Sequence, residues 1–356
     1  MAALTRLLAR RSVRIGLGIL LAVVLLVLPL VSPQFANQTI TRIAVFAVAV
    51  LGLNVVMGYT GQVSLGQVFF VGVGAYAAAV TIKSEWGEAL GLGGVVIGFV
   101  LAVLIPGALG LLIALAAARL RGLGLALVTI ALPIIGVPLA KRLSDITGGS
   151  QGMSARVFSA PEWTGLDTDQ WQYYVVMSIA AAVFALVFFL VRGKFGRAFA
   201  IVKENEAVAS AMGISPYRYK VLAFTVASAV GGVAGFLYVV AIQFVSPDVM
   251  GFGHSIELVI ATIVGGAGSI VGSIIGGVFY VLLPQITNSI YPESTTVVQG
   301  AIILLVLFLL PGGLASLPRR LRKLFSRTRP EHSLPSTPGS EPAPGESENT
   351  ERQGQR

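Results

Sequence analysis

The chain has 356 residues, of which 55% are hydrophobic and only 12% charged, with a mean hydropathy of +0.84. A water-soluble domain of this length carries about a quarter of its residues as charges, so most of this surface must face lipid. The net charge of +9 clusters between and beyond the apolar runs, where topology signals sit, which argues against nucleic acid as a partner; with no cysteine and only His254 and His332, disulfides, thiolate chemistry and Cys-based metal sites are excluded and a His-based one is unsupported.

In chain order, Arg6, Arg10, Arg11 and Arg14 precede an apolar run over 15–31. That run outlasts the apolar core of a signal peptide, about 7–15 residues, and no small-residue cleavage site follows it. It reads as a retained first span. Further runs long enough to cross a bilayer, which takes about 20 helical residues, lie at 40–57, 65–82, 95–118, 123–140, 171–191, 221–243, 255–283 and 297–315. Within them, Gly72/Gly74, Gly231/Gly232/Gly235 and Gly272/Gly276/Gly277 put small residues on one helical face, as close helix packing requires, with a ligand role as the alternative. Residues 319–356 form a Pro/Ser/Glu-rich tail that cannot bury a core and is expected to be disordered. The expected organisation is a basic cytoplasmic N-terminus (1–14), a transmembrane domain (15–318) and a cytoplasmic tail (319–356).

Charge sets the orientation. Segment 1–14 carries four Arg and no acid, and segment 319–329 carries six basic residues and no acid. The loop 192–220 carries Arg192, Lys194, Arg197, Lys203, Arg218 and Lys220 against Glu204 and Glu206. All three should be cytoplasmic. Loop 141–170, with Asp145, Glu162, Asp167 and Asp169 against three basic residues, fits the outside. Single crossings throughout would strand the basic tail outside. The conflict disappears if 255–283 enters and returns, breaking near Gly265-Gly266-Ala267-Gly268. Irregular backbone at that depth must be buried or line a polar cavity.

No G-x-x-x-x-G-K-[ST] phosphate loop occurs, so the chain does not bind and hydrolyse ATP in the usual way. No Ser/His/acid triad stands out. Ionisable groups are almost absent from the span interiors, which weakens proton- or Na⁺-driven transport. Glu257, with His254 and Asp248, falls near the outer end of its span, where an interfacial hydrogen bond suffices to explain it.

The loop 192–220 is the most informative element. Residues 198–212 are good helix formers and Gly213 suits a helix stop, so one short helix is expected there. Ala198, Ile201, Val202, Val208, Ala209 and Met212 supply an apolar stripe that can face a soluble partner or the membrane surface.

The stretch Gly196-Arg197-Ala198, Lys203-Glu204-Asn205-Glu206-Ala207, Gly213, Lys220, Ala223-Phe224 resembles the cytoplasmic EAA-type loop of ABC importer permeases, particularly the LivM-type permeases of branched-chain amino acid importers. Three further stretches resemble the same family: Gly58-Tyr59-Thr60-Gly61-Gln62-Val63-Ser64-Leu65-Gly66-Gln67 with Gly72-Val73-Gly74-Ala75-Tyr76; Leu120-Arg121-Gly122 with Leu127-Val128-Thr129 and Thr147-Gly148-Gly149-Ser150-Gln151-Gly152; and Ser255-Ile256-Glu257 with Gly265-Gly266-Ala267-Gly268-Ser269 and Gly272. The resemblance runs from about 40 to 315.

It implies an all-α polytopic helical bundle with broken or re-entrant helices, in the inner membrane of a bacterium. Gly196, Arg197, Lys203, Glu204, Asn205, Glu206, Ala207 and Gly213 would form the loop that docks on an ATPase. Gly61, Gln62, Ser64, Thr129, Gly149, Ser150, Gly265, Gly266 and Gly268 are candidates for lining the translocation pathway, where turn amides and hydroxyls suit a zwitterionic amino acid; capping and packing of broken helices is the alternative. Implied partners are a homologous LivH-like permease, two cytoplasmic ABC ATPases and a periplasmic or lipid-anchored binding protein. ATP and magnesium would be held by the ATPases, with no cofactor on this chain. A urea or short-chain amide permease is the near alternative; an ion-coupled carrier or a non-transport scaffold are the distant ones.

Overall fold

The computed structural model describes residues 23–117, 123–155, 160, 164–290, 295–309 and 313–316. The N-terminal basic segment, Leu120-Arg121-Gly122 and the tail 319–356 lie outside the described residues. The described chain is almost entirely helical: α1 (23–31), α2 (Gln34–Asn54), α3 (Gln67–Lys83), α4 (Glu85–Leu90), α5 (Leu92–Ala117), α6 (Leu123–Arg142), α7 (Thr168–Arg192), α8 (Lys194–Glu204), α9 (Glu206–Ala211), α10 (Pro216–Ile242), α11 (Phe252–Gly265), α12 (Ile270–Ile290) and α13 (Thr295–Leu309). Among the described residues, six helices are long and apolar enough to cross a membrane: α2 with its extension to Tyr59, α5, α6, α7, α10 and α12.

Helix α10 is the hub. It runs antiparallel to α5, with Tyr217 donating to the Leu115 carbonyl at one end and Gly232 seated against Ala102 and Pro106 further along. It runs parallel to α3, where Gly74 meets Gly232 so closely that a Cβ on Gly74 would lie 2.5 Å from the Gly232 carbonyl oxygen. In lipid, apolar burial drives little helix association, so backbone approach of this kind supplies the contact. The glycine faces read from the sequence therefore serve packing: Gly72 lies against Met250, Gly276 against Ala261 and Gly277 against Ala47.

Two breaks interrupt the bundle. The first separates α2 from α3. Helix α2 ends in a π-helical turn, Val55–Tyr59, and residues 61–66 are irregular before α3 begins. The apolar run read at 65–82 is α3, which has 17 residues and starts beside the first half of α10, where the Gln67 amide donates to the Ala227 carbonyl at 3.0 Å. The second break falls between α11 and α12, at Gly266 (φ 119) and Gly268 (φ 82), where the charge count required it. The two arms form an antiparallel hairpin, since Gly265 contacts both Gly272 and Gly276 while Ala261 contacts Gly276.

The turn of that hairpin lies on the same face as the 192–220 loop, because Gly268 touches Gly58 and Gly58 is bound by Lys203. Ala315, just past α13, also packs on Gly266. The chain beyond α13 thus returns to the loop face, as the basic tail demanded. On the far face, Met153–Ser154 pairs antiparallel with Phe244–Val245, pinning the 143–155 segment over the end of α10. There too, Gln170 and Tyr173 of α7 donate to carbonyls of α1, and Asn37 of α2 donates to Asp169.

Candidate functional site

The loop between α7 and α10 is two helices, not the single helix over 198–212 that propensity favours. Asn205 (φ −160, ψ 117) is extended and breaks the run, and its side-chain oxygen accepts from the Ala207 and Val208 amides at 2.8 and 3.2 Å. An Asn in this role is a strong N-cap, which outweighs the good helix formers around it. Gly213 closes α9 in the left-handed region at φ 76, with Ile214 N–H donating to the Ala209 carbonyl at 2.9 Å.

Burial sorts the apolar stripe. Ala198, Phe199, Val202 and Ala209 face inward, with Phe199 edge-on to Tyr219 of α10. Val208 and Met212 face out, 50% and 63% exposed, flanked by exposed Arg197, Glu204 and Ala207. Gly196 is buried at the α7–α8 corner, where a Cβ would strike the Val191 carbonyl. Glu206 forms an ion pair with Lys220, whose side chain is only 9% exposed. That pair clamps α9 to α10, so the Glu206 carboxylate is already engaged within the chain.

Lys203 reaches the other way. Its ammonium donates to the Gly58 carbonyl at 2.8 Å, and its stem lies over Gly61. The final carbonyls of a helix have no partners of their own, and a cation there also suits the helix dipole. Behind Gly58 sits Gly268: a Cβ on Gly58 would come 2.3 Å from the Gly268 nitrogen. Asn54, fully buried, ties the two breaks together. It accepts from Gly268 N–H at 2.6 Å and donates to the Ser269 carbonyl at 2.8 Å and the Ser273 hydroxyl at 2.9 Å.

The candidate pathway residues therefore separate into groups. Gly61 stands at the loop face beside Lys203, with Gly265, Gly266 and Gly268 in the adjoining turn. Gln62 and Ser64 are buried in the irregular segment 61–66, Gln62 donating to the Thr60 hydroxyl at 2.8 Å. Thr129 of α6 holds that segment, accepting from Leu65 N–H at 3.1 Å. Gly149 and Ser150 lie apart from these, in the far-face loop next to Ser144. Sequence reasoning passed over Asn54 and Ser273, and named Gln67 and Lys220 within motifs without giving either a role of its own. A buried Asn or Gln inside an otherwise apolar run was the available signal for Asn54 and Gln67.

Toward the far face, Phe46, Val68, Val71, Tyr238, His254, Leu258 and Tyr280 line a small apolar cleft. His254 bridges Glu257 at 3.3 Å and the Tyr280 hydroxyl at 3.1 Å on its rim. Among the described residues no cluster of His, Cys, Asp or Glu could hold a metal ion.

The described residues form an all-α, multi-pass membrane bundle whose broken helices meet under a charged two-helix loop. The chain belongs to the family described as branched-chain amino acid transport system permease components, whose profile matches residues 35–307. It is 29% identical over 336 residues to the high-affinity branched-chain amino acid transport system permease protein LivM of Escherichia coli, covering 86% of this chain and 76% of that protein. To the LivH permease protein of the same organism it is 26% identical over 294 residues, 78% of this chain and 94% of the relative. A probable LivM permease of Methanocaldococcus jannaschii is 24% identical over 306 residues, 79% of this chain and 85% of the relative. No solved structure matches the chain.

Proposed function

We propose that this chain is the LivM-like permease of an ABC importer, carrying branched-chain or other hydrophobic amino acids across the inner membrane of a bacterium. The family match over 35–307 carries the reading. In this reading the chain pairs with a LivH-like permease to enclose one pathway. Two ATPases, which hold ATP and magnesium, dock on α8 and α9 through Val208, Met212 and their charged rim. A binding protein delivers substrate at the far face. The apolar, aromatic cleft beneath Tyr238 and Tyr280 has the chemistry to accept a branched side chain, with His254 and Glu257 at its rim for the zwitterion.

The test is reconstitution with the homologous permease, the ATPases and the binding protein in liposomes. Labelled leucine should accumulate only with ATP, and excess urea should not compete. Uptake driven by an ion gradient without ATPases would overturn the class. ATP-driven uptake of urea but not leucine would reassign the substrate to short-chain amides.

A further inference from the structure

The loop face holds a contact chain that neither docking nor simple packing requires. Lys203 projects from α8 toward the membrane, away from the exposed Val208 and Met212 surface, and its ammonium ends on the Gly58 carbonyl at 2.8 Å. Gly58 belongs to a π-helical turn, a rare helix form that recurs at functional sites. It lies back to back with Gly268, too close for any side chain on Gly58, whose Cβ would fall 2.3 Å from the Gly268 nitrogen. Asn54 then fixes the Gly268 turn with three hydrogen bonds. Both glycines of that turn, Gly266 and Gly268, occupy positive φ, where the backbone bends between two rigid helices. A displacement of α8 therefore reaches the hinge of the α11–α12 hairpin through two consecutive contacts, Lys203 on Gly58 and Gly58 on Gly268, with Asn54 bracing the second.

We infer that Lys203 is a positioning residue that couples the loop to the α11–α12 hinge, so that movement of α8 is transmitted to the broken helices. This rests on the importer reading above. A bare helix cap would need only a cation near the α2 end. The relay needs more: α8 and the end of α2 must stay joined while the partner subunits work.

The chain contains no cysteine, so the joint can be tested by exchange of one bond for another. A Cβ on Gly61 would lie 3.8 Å from the Lys203 Cβ, within the about 3.5–4.5 Å that a disulfide spans. In the reconstituted importer, K203M should lower the substrate moved per ATP hydrolysed about tenfold, the scale of one lost charge-assisted hydrogen bond. K203R should restore most coupling. K194M, on the same helix but bound only over the Phe195 ring, should couple normally. The K203C/G61C pair should be uncoupled when reduced and recover when a mild oxidant closes the disulfide, with the G61C single variant as its reference. Normal coupling in K203M, or a closed disulfide that leaves the pair uncoupled while G61C alone works, overturns the relay. So does a K203M chain that no longer assembles, because Lys203 is then a docking residue. Should the unaltered chain recruit no ATPase, the importer reading itself fails, separately from the relay.

Discussion

Asn54→Ala isolates the joint between the two broken helices. Asn54 and Ser273 are both fully buried, and the Asn54 side chain carries three hydrogen bonds from α2 to the second break. Interhelical hydrogen bonds in membranes average about 0.6 kcal/mol each, so losing three costs about 2 kcal/mol. The Gly268 N–H adds to this, since after truncation it has no acceptor where water is scarce. At about 1–2 °C per kcal/mol for a chain of more than 300 residues, the apparent melting midpoint in detergent should fall by about 2–4 °C. Thr39→Ala is the matched control: it removes a polar group from the same helix, but an exposed one whose hydroxyl serves only its own helix at Phe35. Its stability should change by less than about 0.5 kcal/mol, so its midpoint should move by less than about 1 °C. If Asn54→Ala melts with Thr39→Ala, the polar joint contributes nothing and the two breaks are held by glycine packing alone.

The other perturbations follow from the same contacts. Glu206→Gln removes the partner of the nearly buried Lys220; because Glu206 is itself 38% exposed, the cost should stay at about 1–3 kcal/mol, read as faster proteolysis between α8 and α10, and Lys220→Met added to it should restore part of the loss. Gly277→Val places carbon about where a Cβ already meets Ala47 at 2.6–2.7 Å, so little folded protein should accumulate, whereas Gly300→Ala, with nothing within 4 Å, should accumulate normally. Val208→Asp with Met212→Asp leaves every described internal contact in place, so melting should not change while ATPase co-purification is lost. Unchanged co-purification would remove this surface from the docking role.

The helical bundle was legible because bilayer thickness imposes run length, and the α11–α12 break because basic segments impose sidedness. The α2–α3 break falls in the gap that run length leaves between 40–57 and 65–82, but hydropathy says nothing of the backbone within it. That segment alternates in burial, with Gln62 and Ser64 buried and Val63 47% exposed, a pattern too short to be read as an element. The split of α8 from α9 was missed for a different reason. Propensity sums over a window, while Asn205 acts through two local hydrogen bonds that a sum does not register.

The two breaks and the loop explain one another energetically. Unwound backbone within a membrane leaves donors and acceptors that lipid cannot satisfy. Here the second break supplies the Gly268 N–H and the Ser269 carbonyl, and the first supplies Asn54 to answer both. That leaves the carbonyl end of α2 at the loop face, where Lys203 and Gly61 are exposed. Lys203 answers it from the loop. The basic residues of 192–220 read in the sequence as a sidedness signal, yet at least one is bound to the membrane domain as a cap. A charge placed to orient the chain is therefore also positioned to hold the end of a broken helix. This is why the loop cannot move freely of the hinge beneath it, and why exchanging Lys203 for a neutral residue should separate hydrolysis from transport without unfolding the bundle.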